Sequence, residues 1–548
     1  MTFLEKIFAQ LESAKDSPLL QEILPDGTKA STGADLLDLV TRARTFLSQK
    51  GPKKGDRCAL LAANSVRWLA MDLAIMAEGL IAVPLYSRQA AAELVAMMKD
   101  CSPVLICCGE QTLREGILEN WPDAPPQFLF DDIFAVTPVT LPKPQIANSD
   151  TVTIIYTSGT SGEAKGVMLN AANVTFMLGA TSASLDLLME RRSGQDRVYH
   201  YLPLCFAGAW ISLMTCLLRR SVVTLNTDLT KLAGEMRVAA PDYFLNVPAL
   251  LERMRRAVDE QLWKTGGLVL TIYRRAKIAW MNKQEGKSRL WDAIWLGLAN
   301  AAVFPTIRRK MIGSNLKVLI CGSAPLNSET QLYFMMLGIP VLQVYGLTET
   351  TAICTLDDPR HVVAGRVGPA IAGIEMKLGE NEEIVVRGPN IFPGYWNRPQ
   401  ETDKALQDGW FHSGDQGEVD AAGNWRIVGR IKNLIILGSG HNIGPEPIED
   451  EILQELPRAQ QIVLLGNGRG YLSAIVTGSV TRDQVQTALD AVNPGLPHYK
   501  QIRVFHVLAE PFSIDNGLLT ANGKLKRDAI AVRFKDQIEE MYGVKQAS

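Results

Sequence analysis

Through most of the first 430 residues, apolar positions follow two alternating rhythms. Short continuous runs of strand type, CALLA (58–62), PVLICC (103–108), VTIIY (152–156), VVTLN (222–226), KVLICG (317–322) and VLQVYG (341–346), are separated by longer stretches with helical spacing. Short buried-type strands between helices predict an α/β architecture with at least one largely parallel sheet. The opening stretch MTFLEKIFAQLESAKD puts Leu4, Ile7, Phe8 and Leu11 on one helical face with charges between them. After about residue 370 the rhythm changes. GIEMKLGE, EEIVVRG and GNWRIVGR are short and turn-bounded, which predicts hairpins of a β-rich subdomain. The last part of the chain reads as a small α+β unit. PIEDEILQEL and RDQVQTALDAV are helical, and QIVLLG and YLSAIVTG resemble a strand pair. No Pro/Ser-rich linker precedes it, so a short hinge near GRIKNLIILGSG should join an N-terminal domain, 1–430, to a C-terminal domain, 431–548.

The longest apolar stretches, 68–83 and 290–304, each carry an acidic residue and fall short of about 18 uncharged apolar residues, so no transmembrane helix is expected. The N-terminus lacks the apolar centre of a signal peptide. At 548 residues, 47% apolar and 21% charged, the chain has ample material for buried cores. A net charge of −2 gives no reason to expect a nucleic-acid partner. Basic clusters at 219–220, 253–256, 274–277 and 308–310 read more readily as solvated helix faces than as a lipid or coenzyme surface. The eight cysteines form no CxxC pair, and the six histidines fall in no HExxH pattern. A reducing cytosol is the simplest compartment, with peripheral contact at the inner face of the membrane left open.

Residues 156–166, YTSGTSGEAKG, follow a strand-type run and combine glycines, hydroxyls and one lysine. Glycines let backbone N–H groups turn inward as an anion nest, hydroxyls add donors, and Lys165 adds charge, which suits a polyphosphate. The P-loop pattern GxxxxGK[ST] is not met: Ala164 precedes Lys165 and Gly166 follows it, and Gly523-Lys524 is followed by Leu525.

This loop resembles the signature of the adenylate-forming superfamily: acyl-CoA synthetases, luciferases and adenylation domains. Further matches follow in the family's order: LPLCFAG (202–208), NVPALLER (246–253), CGSAPL (321–326), YGLTET (345–350), GWFHSGD (409–415), GRIKNLIILGSGHNIGPEPIE (429–449) and LLTANGKLKR (518–527). The resemblance implies a large N-terminal domain with two α/β sheet subdomains and a β-rich one, followed by a small mobile α+β domain. It also implies a two-step reaction in which a carboxylate attacks the α-phosphate of Mg-ATP, and a thiol then displaces AMP.

By the same resemblance, Thr157, Ser158, Gly159, Thr160, Ser161, Gly162 and Lys165 would hold the β- and γ-phosphates. Glu349 would hold Mg²⁺, with Thr160 a weaker ligand, and Thr348 would contact the α-phosphate. Tyr345 and Gly346 would meet the adenine from one side, Gly322, Ser323 and Ala324 from the other. Asp415 would accept the ribose hydroxyls and Arg430 would support ribose and phosphate. Lys524 would be the catalytic lysine. Lys432 would mark the hinge about which the C-terminal domain pivots, bringing Gly438, Ser439 and Gly440 to the CoA channel. Ala164, Ala171, Phe206, Ser413 and Asn433 depart from residues frequent in the family, and they touch substrate gating more than the charges the reaction needs.

The stretch 254–320 and its AVFPTIRRKMIGSNLKVLICGSAPL resemble long-chain fatty acyl-CoA synthetases in particular. Trp210, Leu213, Met214, Tyr243, Phe244 and Leu245 are candidates for an apolar tunnel or, equally, for core. The alternatives are a fatty acyl-AMP ligase loading an acyl carrier protein, a ligase for a medium-chain or aryl acid, and an inactive ligand-binding homologue. Acyl-AMP ligases usually carry an insertion that hampers the hinge, and none is recognisable in this sequence.

Overall fold

The computed structural model describes residues 1–548 except 25–26, 159–163, 191–195, 314, 521–522 and 544–548. Two large sheets form the first part of the chain. The six-stranded sheet runs Gln127–Leu129, Leu105–Cys108, Arg57–Leu61, Ile81–Leu85, Thr151–Ser158, Ala164–Asn170, parallel until the last pair closes as an antiparallel hairpin. The eight-stranded sheet is parallel from Val341–Tyr345 through Val318–Cys321, Tyr243–Asn246, Arg197–His200 and Val222–Leu225 to Pro18–Leu24, with an antiparallel strand at each end. The expected buried strands thus all appear, and the crossovers between them are helical, as parallel pairing requires.

Helices Val66–Ala77, Ala171–Leu188 and Ala207–Arg219 contribute to one continuous core shared by residues of both sheets. Val66–Ala77 is almost wholly buried, including its acidic residue Asp72, whose carboxylate accepts a hydrogen bond from the Trp210 indole at 2.8 Å. The opening helix, Phe3–Ser13, has a capping box between Thr2 and Glu5 and buries Leu4, Ile7 and Leu11 as its spacing predicts. All eight cysteines are buried free thiols.

From 375 onward a five-stranded antiparallel sheet forms, and its longest strand, Trp410–Val419, pairs with Trp425–Arg430 so that Asp415 lies opposite Arg430. A 3-10 turn, Ile431–Asn433, follows directly. Beyond it lie separate apolar cores around a three-stranded sheet (Ala459–Leu465, Leu472–Gly478, Ile502–Leu508) flanked by helices Pro445–Glu455 and Arg482–Val492. This is the mixed α/β architecture with a small α+β terminal unit that the sequence pattern predicts.

Between Asn246 and Val318 the chain makes a helical excursion: Pro248–Thr265, Gly267–Gln284, Leu290–Leu298, a π-helical turn Ala299–Val303, and Phe304–Met311. The last three form one unbroken helix, Leu290–Met311, which by length and composition could cross a membrane. The sequence reading marks 290–304 as the apolar stretch, and the helix runs past it to Met311. The helix starts at Leu290 with Asp292 in its first turn, where its carboxylate accepts from Arg289 N–H at 2.9 Å.

Candidate active site

A cleft of about 1550 Å³ separates the two large sheets from the C-terminal unit. Thr157, Lys165, Gly322, Ser323, Gly346, Thr348, Glu349, Arg430, Lys432 and Lys524, distant in sequence, all line it. Gly159, Thr160, Ser161 and Gly162 lie outside the described residues, and so does the suggested second Mg²⁺ ligand among them. What surrounds them is defined. Strands Thr151–Ser158 and Ala164–Asn170 are in register from Tyr156 opposite Gly166 to Ser158 opposite Ala164, so residues 159–163 connect the two arms of a hairpin. Tyr156 anchors the first arm by donating to Asp100 at 2.6 Å, and Trp396 N–H anchors the second by donating to the Gly166 carbonyl at 2.7 Å.

Gly322 ends strand Val318–Cys321, where a Cβ would come within 2.5 Å of the Val344 side chain. Its neighbour Ser323 holds φ +72°, a left-handed backbone that a non-glycine residue adopts at a cost of about 1–3 kcal/mol, of the kind found at functional sites. Ala324 is exposed and falls outside the cleft lining. Tyr345 ends the adjacent strand and is 9% exposed, so in this state it offers little surface to the cleft. Its hydroxyl donates to Asp415 Oδ2 at 2.8 Å, while Arg430 Nε lies 2.9 Å from Oδ1. Burial, then the Asp415 charge, pushes the Tyr345 phenol well above its ordinary pKa and keeps it a donor.

Glu349 sits in the 3-10 turn Thr348–Thr350, with the Tyr395 hydroxyl donating to its Oε1 at 2.9 Å. The Tyr395 ring in turn lies 5.2 Å from Lys165 Nζ, within reach of a cation–π contact, and Lys165 also pairs with Glu401. Tyr395 therefore links Glu349 to Lys165. The sequence reading missed it. Its signal lay in FPGYWNRP (392–399), an aromatic-rich turn between glycine and proline. Among the described residues no three His, Cys, Asp or Glu side chains converge as a metal cage. A single carboxylate such as Glu349, lining the cleft near Lys165, nevertheless fits Mg²⁺, which is commonly held by one or two carboxylates and substrate phosphates.

Lys524 enters from the C-terminal unit on a tight turn in which its N–H donates to the Thr520 hydroxyl at 3.0 Å and its carbonyl accepts from Thr520 N–H at 2.8 Å. The lysine is exposed at the cleft wall, and desolvation there is the first influence on its charge. That desolvation, with Arg430 next, lowers its pKa, against the opposing pull of Asp415 and Glu349. Lys432 is depressed to about 8, mainly by desolvation and then by Arg430 and Lys165. These cations crowd one end of the cleft, and their mutual repulsion is what an anionic ligand would relieve. Lys526 holds the unit in place through Glu93, at 3.1 Å. Behind it, Arg527 pairs with Glu449 at 2.5 Å. Gly438, Ser439 and Gly440 lie exposed in the turn between Ile435–Ile436 and Asn442–Ile443 and do not line the cleft in this state.

Away from the charges the cleft has an apolar arm. Alternation along three neighbouring strands places Tyr243 and Leu245, Ile320, and Leu342 and Val344 on its wall, with Leu185, Leu188 and Ile211 from two helices opposite. Of the six tunnel candidates only Tyr243 and Leu245 therefore face it. Phe244 is turned into the core by the same alternation, and Trp210, Leu213 and Met214 are fully buried on the core side of helix Ala207–Arg219. Phe206 lines the cleft beside Tyr86, ring centroids 5.7 Å apart.

Residues 8–396 match the family model described as AMP-binding enzyme, and 432–546 match that of the AMP-binding enzyme C-terminal domain. The chain is 27% identical to a long-chain-fatty-acid--CoA ligase, FadD15, of Mycobacterium bovis, over 97% of this chain and 96% of that one. It is also 27% identical to the long-chain-fatty-acid--CoA ligase ACSBG2 of Rattus norvegicus, covering 93% and 88%. Among solved structures, an anthranilate CoA ligase, AuaEII, in complex with anthranoyl-AMP superposes with TM-score 0.77 at 18% identity, covering 98% of both chains. The adenylation domain of a Mycobacterium chelonae carboxylate reductase superposes with TM-score 0.78 at 19% identity, covering 99% and 91%.

Proposed function

The chain belongs to the AMP-binding enzyme family, and on that premise we propose that it is an ATP-dependent ligase that activates long-chain fatty acids and transfers them to CoA. The observation that carries this reading is the joining of the cationic end of the cleft to an apolar arm between the eight-stranded sheet and helices Ala171–Leu188 and Ala207–Arg219. An anionic nucleotide and an aliphatic acid can lie there end to end, and the named relatives act on long-chain fatty acids.

In the first half-reaction a carboxylate oxygen bonds to the α-phosphorus of ATP and the bond to pyrophosphate breaks. Two anions must approach, so the site has to neutralise them and fix their orientation. Lys524 bridges the carboxylate and an α-phosphate oxygen. Thr157, Ser158, Lys165 and the residues 159–162 hold the outgoing pyrophosphate, with Thr348 at the α-phosphate. Mg²⁺, held by Glu349, supplies charge neutralisation when bound. Asp415 and Arg430 take the ribose, and Tyr345, Gly346, Gly322 and Ser323 bound the base. In the second half-reaction the CoA sulfur bonds to the acyl carbon, AMP leaves, and the thiol proton passes to solvent. For that step 431–548 pivots at Lys432, withdraws Lys524 and brings Gly438–Gly440 to the cleft. Loading of an acyl carrier protein is the second reading, with the same first step and a larger thiol. The amphiphilic substrate also gives reason for contact with a membrane surface.

The test is fatty-acid-dependent exchange of labelled pyrophosphate into ATP. Palmitate should support it and Lys524→Ala should abolish it. Exchange with acetate or benzoate alone would sink the substrate assignment, and full exchange in Lys524→Ala would sink the role of the lysine.

A further inference from the structure

The helical excursion between Pro248 and Met311 plays no part in lining the cleft. It does carry an unusual surface. Of the 21 large hydrophobic side chains that are exposed among the described residues, eight fall within 263–298. Leu290, Trp291, Ile294 and Leu298 lie within about a third of a helical turn of one another, on one face of Leu290–Met311. They are 92%, 71%, 51% and 46% exposed. Leu268 and Ile278 are exposed on the neighbouring helix Gly267–Gln284, and so is Trp263, over whose ring Arg274 stacks at 4.0 Å.

The charge of the excursion is equally one-sided. Residues 263–310 hold ten Lys or Arg against Glu285 and Asp292, a net of +8 in a chain whose total is −2. Exposed apolar and aromatic residues set among cations are the pattern of a helix lying in a lipid–water interface. The length of Leu290–Met311 does not make it a span, because its other face is committed. Ala299, Val303, Phe304 and Ile307 are buried against Tyr273, Ala276 and the rest of that core. Only 22% of its most apolar window is buried, which leaves the outward face unpartnered.

We propose that the outward face of helices Gly267–Gln284 and Leu290–Met311 docks the protein on anionic bilayers. Trp291, Ile294 and Leu298 enter the interfacial layer while Lys264, Arg275 and Lys283 meet lipid phosphates. This deepens the fatty-acid reading, since a bilayer is where a long-chain acid partitions, but it stands on its own surface observations.

The experiment is co-sedimentation of the full-length protein with vesicles of phosphatidylcholine alone or mixed with phosphatidylglycerol, without ATP or CoA. Failure of binding is thereby separate from failure of the ligase reading. Binding should require phosphatidylglycerol and weaken as salt is raised, because surface cations are each worth about 1 kcal/mol at such a membrane and are screened. Trp291→Ser/Ile294→Ser/Leu298→Ser should cut binding about tenfold, with the circular dichroism of the wild type kept, as exposed positions allow. A second variant, Arg275→Gln/Lys283→Gln, should bind the anionic vesicles about tenfold more weakly and with a shallower dependence on salt. Wild-type protein that stays in the supernatant at low salt would overturn the proposal. So would undiminished binding by the serine variant, or a dimer in solution that this variant dissociates, which would identify a second copy of the chain as the occupant.

Discussion

The Tyr345 hydroxyl donates to Asp415 Oδ2 at 2.8 Å, joining the end of one strand of the eight-stranded sheet to strand Trp410–Val419, whose neighbour Trp425–Arg430 runs into the 3-10 turn Ile431–Asn433. Arg430 takes the other carboxylate oxygen at 2.9 Å. An ionised carboxylate has about four acceptor sites, so two remain for ribose hydroxyls. Asp415→Asn keeps the shape but turns one acceptor into a donor. Losing charge-assisted hydrogen bonds of about 1.5–3 kcal/mol should weaken ATP binding roughly tenfold to a hundredfold by calorimetry.

Tyr395→Phe removes only the hydroxyl that orients Glu349. Adenylation should slow about tenfold to a hundredfold, the worth of one hydrogen bond to a charged group, with the thermal midpoint nearly unchanged. The Mg²⁺ concentration giving half-maximal rate should rise. An unaltered Mg²⁺ dependence would remove Tyr395 from the phosphate end.

Lys432, depressed to about 8 among Arg430 and Lys165, is partly deprotonated near that pH. An anion bound beside it raises its pKa. Nucleotide binding at pH 8 should therefore take up protons, seen as a dependence of binding enthalpy on buffer ionisation heat. The uptake should fade toward pH 6, where the lysine is already charged, and shrink in Lys432→Met. Lys524 is also depressed below the ordinary lysine value. Adenylation should accordingly fall as pH rises through that lowered pKa, and Lys524→Arg, with its higher pKa, should not show the same alkaline limb.

Arg527 and buried Glu449 form a close pair, and Glu449 Oε1 also accepts from Leu464 N–H at 2.6 Å. Arg527→Met strands a buried carboxylate and should destabilise the C-terminal unit by about 3–5 kcal/mol in denaturant unfolding. Arg527→Met/Glu449→Met should recover most of that loss.

The apolar arm should set chain length. Ile320→Phe, on its wall, should raise the KM for palmitate about tenfold, the cost of an overpacked apolar site being about 1–3 kcal/mol, while octanoate is still accepted. Equal effects on both acids would place the arm elsewhere.

Strand positions and the family motifs were legible because their signals are local: β-type runs, glycines, and motif order. The wall of the apolar arm was not. Ala207–Arg219 is apolar on both sides, and only the packing of the two sheets decides that Ile211 faces the cleft while Trp210 turns inward to Asp72. Tyr395 was hidden for a related reason. Its partners Glu349 and Lys165 come from segments more than forty residues away, and aromatic residues near turns are common enough to carry no chemistry alone. The outward face of 290–298 was concealed by its composition, since an apolar helix reads as core until its neighbours are known.

The measurement that tests the central claim most directly is mass spectrometry of the products formed from Mg-ATP and palmitate, with and without CoA. The account predicts enzyme-bound palmitoyl-AMP without CoA, and palmitoyl-CoA with stoichiometric AMP when CoA is added. Palmitoyl-AMP that persists in the presence of CoA, or the absence of both products, would contradict it.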